Sequence, residues 1–151
     1  MSPEEILHAE GIELPAPNPA VANYVRAVRV GSLVFVSGHG PFVDGKPAYV
    51  GKLGSQLTVE EGRKAAEQVT INILATLKAE LGELSKVKRI VKLLVMVNAT
   101  PEFTEHPKVA DGSTDLLVKL YGDAGRPARS AVGMSSLPFN IAVEIEGVVE
   151  V

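Results

Sequence analysis

The 151 residues, 46% hydrophobic and 22% charged with a formal charge of −3, are those of one soluble domain able to bury roughly two-thirds of its unfolded surface. The chain has no cysteine, which excludes disulfides, thiolate nucleophiles and cysteine-based zinc sites. Its acidic balance argues against a nucleic-acid protein, whose affinity rests on a basic surface.

Ser2-Pro3-Glu4-Glu5 reads as a helix start, with Ser2 as N-cap, Pro3 at the first helical position and Glu5 closing a capping box. Ile6, Leu7 and Ala9 supply a small apolar face, and Gly11 is a natural stop. The opening stretch lacks the basic and apolar regions of a signal peptide, and no apolar run is long enough to span a membrane. A cytoplasmic protein with no membrane partner is expected. Residues 12–20, with Pro15, Pro17 and Pro19, form an extended connector.

Tyr24 to Val30 alternates as a strand does, with Arg26 and Arg29 towards solvent or a partner. Gly31-Ser32 turns the chain into a short apolar strand, Leu33 to Ser37, completing a hairpin. Gly38-His39-Gly40-Pro41 ends it, and residues 44–57 read as loop. Thr58 and Glu61 form the capping box of a long helix running to about Leu81, with Ala66, Val69, Ile73, Leu77 and Leu81 as its core stripe.

Val87 to Val97 reads as a strand buried on both faces, Val91, Leu93 and Val95 on one and Ile90, Leu94 and Met96 on the other. A second helix covers Ser113 to Tyr121, with a start nearer Pro107 also open. Arg126 and Arg129 follow in a turn-prone segment around Pro127. The last strand, Ile141 to Val151, puts Ile141, Val143, Ile145, Val149 and Val151 on one face and Glu144, Glu146 and Glu150 on the other. Gly147 stands where an apolar side chain belongs, marking a bulge or a close backbone approach.

The expected fold class is α+β: a single sheet on two main helices, with an N-terminal hairpin and a short extra N-terminal helix. Residues 1–151 form one domain, with 1–17 as an N-terminal extension. Two helices cover one face of such a sheet, so the apolar second face calls for a partner, most simply another copy of the chain.

The residue types that carry chemistry are few. The guanidinium of Arg129 matches a carboxylate in two-point contact; its alternative is a surface or interface arginine paired with an acid. Glu144 can order or deprotonate a water; its alternative is a solvent-facing glutamate. His39 follows a buried strand, where loop residues often touch ligands, and a hydrogen-bonded structural histidine is equally open. His8 and His106 share no metal-ligand spacing with it. Ser37 has no base in its motif and SGHGP is no nucleophile elbow. The glycines around His39 belong to no phosphate-loop pattern.

Together these segments resemble the Rid/YjgF family of reactive enamine/imine deaminases, also labelled L-PSP endoribonucleases. The resemblance rests on Tyr24-Val25, Val36-Ser37-Gly38, Val95-Met96-Val97 before Pro101-Glu102-Phe103, Pro127-Ala128-Arg129-Ser130, Leu137-Pro138 and Val143-Glu144-Ile145-Glu146. It covers residues 18–151, and its C-terminal part is the specific one. It implies a fold of the bacillus chorismate mutase type and a homotrimer with sites between subunits. It also implies a substrate bearing a small carboxylate, and no metal or organic cofactor.

By the same resemblance, Arg129 binds the carboxylate, Glu144 is associated with the attacking water, and Tyr24, Ser37 and Gly38 line the pocket. Ala131 stands where many members have cysteine, and His39 where glutamine is usual. The implied reaction is hydrolysis of a 2-enamine or 2-imino acid to the 2-keto acid and ammonia. A non-catalytic carboxylate-binding or regulatory trimer is the alternative, and RNA cleavage ranks last.

Overall fold

Both capping boxes form. In the computed structural model, which describes all residues Met1–Val151, the Ser2 hydroxyl accepts from the Glu5 amide at 3.1 Å and starts helix α1, Pro3–Ala9. Thr58 and Glu61 exchange the same pair of bonds ahead of α2, Val59–Leu81. These contacts satisfy amides that a helix N-terminus leaves without partners. The buried stripe of α2 includes Ala66, Val69, Ile73, Leu77 and Leu81, the residues whose spacing predicts it.

A five-stranded sheet lies under α2 and α3 (His106–Tyr121), in the order β1-β2-β7-β5-β6. Its strands are β1 Ala27–Val30, β2 Leu33–His39, β5 Arg89–Asn98, β6 Ala128–Met134 and β7 Val143–Glu150, while β3 (Phe42–Val43) and β4 (Lys46–Pro47) form a separate small hairpin. All pairs in the main sheet are antiparallel except β5 with β6. The α+β architecture, the β1–β2 hairpin and the extra N-terminal helix agree with the sequence reading.

Several details depart from it. The segment holding Arg129 is strand β6 rather than a turn; Pro127 precedes the strand instead of breaking it. Residues 24–26 lie outside β1, which begins at Ala27, and α3 begins at His106, with Pro107 in its first turn. The faces of β5 are also rephased. Ile90 pairs with Val149 and Lys92 with Val148, so Val91 is an extra residue, and this bulge puts both Ile90 and Leu93 in the helix-side core. The other face is therefore Lys92, Leu94 and Met96, all half-buried.

Gly147 is the close approach its place in the pattern implies: a Cβ there would lie 2.7 Å from both the Leu93 side chain and the Lys92 carbonyl oxygen. The face away from the helices carries Val28, Phe35 and Val132 substantially exposed, an apolar surface that no element of this chain covers.

Candidate functional site

A second bulge organises the site. Val36 pairs with Gly147 but His39 with Ile145, three residues of β2 against two of β7. Val36 and His39 thus both point into the core, and Ser37-Gly38 is left beside the open face, where bulges commonly re-aim a side chain near a site. Glu144, opposite Met96 on the open face of β7, reaches Gly38: a Cβ on Gly38 would lie 2.6 Å from Glu144 Oε2. Glycine there is what lets the carboxylate pack against the β2 backbone.

Tyr24 and Arg26 join this group from the segment before β1. Arg26 Nη1 donates to Tyr24 Oη at 3.2 Å, the Arg26 carbonyl accepts from the Ser37 amide at 2.9 Å, and Ser37 Oγ donates to the Val25 carbonyl at 2.6 Å. Arg26 Nε is buried without an acceptor. Burial first, then Glu146, raises the pKa of Glu144 above its ordinary value, and the Arg26 charge opposes both. Arg26 is a member of this cluster that the alternation pattern reveals only as solvent- or partner-facing.

Arg129 and Ala131 lie elsewhere. They sit on β6, the opposite edge strand, and face the helices; Ala131 packs against the core. Arg129 Nη1 donates to Asp111 Oδ1 at 2.8 Å and to Thr114 Oγ1 at 3.0 Å, both on α3, and Nη2 reaches the Pro107 carbonyl at 3.5 Å. Nη1 is held closely and Nη2 only at the limit of a hydrogen bond. Within one chain, Arg129 and Glu144 are on opposite faces of the sheet with β5 between their strands. One chain by itself does not bring the two together.

His39 is also placed apart. It is 1% exposed, on the helix side, with Nδ1 2.6 Å from the Ser37 carbonyl and Nε2 2.8 Å from Thr76 Oγ1 on α2. A carbonyl can only accept, so Nδ1 carries the proton and Nε2 accepts from the threonine. His39 is the hydrogen-bonded structural histidine, and a pocket-lining role is corrected on that ground.

Burial, reinforced by the Arg26 charge, lowers the His39 pKa to about 4 from 6.5. A depressed value in the folded state means that the stabilisation is complete above pH 6.5 and is lost as pH falls towards 4. The loss is about 3 kcal/mol at 1.36 kcal/mol per unit. Urea midpoints measured from pH 7 to 4 should fall in the parent and fall less in His39→Gln; equal falls would remove His39 as the cause.

No group of three or more His, Asp or Glu side chains is arranged to hold a metal ion, and no helix is long and apolar enough to cross a membrane.

A family model described as "YjgF/chorismate_mutase-like, putative endoribonuclease" matches residues 4–149. A Trypanosoma cruzi relative named protein TCP17 is 45% identical over 141 residues, 93% of this chain and 88% of its own. A 2-iminobutanoate/2-iminopropanoate deaminase from Dermatophagoides farinae is 32% identical, over 99% of this chain and 98% of its own. Among solved structures, a "putative endoribonuclease" from Shewanella oneidensis superposes with a TM-score of 0.96 at 38% identity, covering 100% of both chains.

Proposed function

This chain belongs to the YjgF/chorismate mutase-like family, and from that membership we propose that it is a homotrimeric, cytoplasmic imine deaminase. It would hydrolyse reactive 2-enamine and 2-imino acids to 2-keto acids and ammonia, without metal or organic cofactor. Relatives at 32% and 33% identity carry the name of that activity.

The observation that carries the reading is the division of the family-matched residues between two places. Tyr24, Ser37, Gly38 and Glu144 cluster towards the β1–β2 edge, and Arg129 with Ala131 lies on the β6 edge. A head-to-tail contact brings β6 of one copy beside the β1–β2 edge of the next. With a three-fold rotation such a contact closes as a ring, and a ring of this kind would cover the apolar open face. Each junction then holds one Arg129 and one Glu144.

At that junction Arg129 takes the substrate carboxylate, fixing the C=N carbon. Glu144, partly desolvated and so more basic than a solvated glutamate, accepts a proton from water as the oxygen attacks that carbon. Glu144 returns that proton to the nitrogen, and the C–N bond of the carbinolamine then breaks as its hydroxyl gives up a proton and becomes the carbonyl, releasing ammonia. Orientation supplies much of the acceleration, because these imines also hydrolyse unaided. With Glu144 as base, activity should fall in acid with a midpoint above 4.5, and Arg26→Gln should move it higher by removing the opposing cation.

The relative at 45% identity does not carry the deaminase name, which favours a second reading, in which the same junction binds carboxylates without turnover. An imine generated in situ by an amino-acid oxidase separates the two. Ammonia or keto-acid release well above the spontaneous rate supports the deaminase, and binding with no acceleration supports the carboxylate binder. The endoribonuclease wording of the family model does not match the charge of −3, which gives RNA no net attraction. RNA cleavage that survives further purification of the protein would reverse that ranking.

A further inference from the structure

Arg129 opens onto a cleft of about 610 Å³ between α3 and the start of β6, lined also by Thr114, Asp115, Lys119, Arg126 and Pro127. Three cations face one carboxylate there, in a chain whose net charge is −3. Most of these charges are already engaged. Arg129 pairs with Asp111 at 2.8 Å, Lys119 with Glu10 at 3.1 Å, and Asp115 with Arg63 at 2.9 Å. Arg126 forms no ion pair and no side-chain hydrogen bond, although it lines the same cleft three positions from Arg129.

We infer that Arg126 is a second anion-binding residue of this site, and that the substrates it selects are 2-imino acids bearing a second, side-chain carboxylate. The inference rests on the assignment of Arg129 to the first carboxylate.

Three features carry it. A solvent-exposed arginine with no partner does not hold the fold together, so its role is not explained by packing. Its backbone is stiffened: Pro127 fixes its own φ and keeps the preceding residue extended, as the Arg126 φ of −90° and ψ of 103° show. A pre-set backbone lowers the ordering needed when the side chain engages a ligand. Lastly, the cleft of about 610 Å³ is of a size for a compact dianion, with Arg126 and Arg129 both on its wall. The chemistry is otherwise unchanged: C=NH and water give C=O and ammonia, with no net oxidation. The enzyme that supplies such a substrate makes it either by two-electron oxidation of an acidic amino acid or by β-elimination from one that carries a leaving group at C3.

The test has a binding arm and a turnover arm. In the first, the parent, Arg126→Gln and Arg126→Lys are titrated with a five-carbon 2-keto dicarboxylate and with a four-carbon 2-keto monocarboxylate. Loss of a charge-assisted contact corresponds to about a 10- to 100-fold weakening. The dicarboxylate-to-monocarboxylate affinity ratio should fall by that factor in Arg126→Gln and by less in Arg126→Lys.

In the second arm, the same ratio of kcat/KM is measured on imines of an acidic and a neutral amino acid, with melting temperature confirming that each variant folds. A parent with no preference for the dicarboxylate, or a ratio unchanged in Arg126→Gln, overturns the inference. If no imine is hydrolysed above the spontaneous rate, the deaminase reading fails, while the binding ratio still decides the role of Arg126.

Discussion

Glu144→Gln is expected to lower turnover on a freshly formed imine by roughly 10²–10⁴-fold, the usual contribution of a positioned general base. Gln keeps the size of the side chain and its place beside Gly38 but cannot take a proton from water. Carboxylate binding should stay near the parent value, because removing a negative charge from the site does not oppose an anion. Arg129→Lys should do the reverse. It keeps the charge but loses the planar fork, weakening a bound 2-keto acid while the melting temperature moves little. A residue that acts only in the transition state lowers kcat without raising KM, and a uniform binding residue raises KM. Steady-state kinetics on both variants checks the split. An unaffected Glu144→Gln enzyme would make Glu144 a surface residue, and a dissociated Arg129→Lys oligomer would make Arg129 structural.

Gly112→Leu should destabilise the fold by about 4 kcal/mol or more, beyond the range of ordinary overpacking. Gly112 lies on α3 where it crosses α2, and a Cβ there would sit 2.0 Å from the Arg63 carbonyl oxygen and 2.7 Å from its carbonyl carbon. Backbone cannot swing aside as a side chain can, so the two helices must separate. Gly62 on α2 is similarly tight against Val109, at 2.9 Å, so the crossing depends on both glycines. Helix propensity alone predicts the opposite sign, because leucine is favoured over glycine in a helix interior by roughly 1 kcal/mol. A thermal melt decides: a lower melting temperature supports the close crossing, and a higher one contradicts it.

The sequence disclosed most of the elements because their signals are local. Capping boxes lie within four residues, and the α2 stripe repeats every three to four. What it hid depended on partners distant in sequence. Strand β6 looked like a turn because Pro127 and Gly133 dominate a segment that is a strand only by its parallel pairing with β5. The bulges at Val91 and Ser37-Gly38 each shift a strand's phase by one residue; nothing local announces the first, and Gly38 in the second was read as ending the strand. The second of these turns His39 inward to Thr76, 37 positions away, which a reading of the loop motif alone left open. For the site, Glu144 was legible as a carboxylate on the polar face of an alternating strand. The separation of Arg129 from it was not, since strand order is not written in either residue's neighbourhood. Arg26 acquires meaning only beside Gly38 and Glu144.

The central claim is that each active site combines Arg129 of one copy with Glu144 of the next, and mixing two inactive chains tests it most directly. Arg129→Ala and Glu144→Gln chains are co-expressed or refolded together in equal amounts, and imine hydrolysis is compared with each alone. In a ring assembled at random, roughly one junction in four joins an intact Arg129 to an intact Glu144. The account therefore predicts recovery of about a quarter of the parent activity. No recovery in a mixture shown to form mixed oligomers would contradict it.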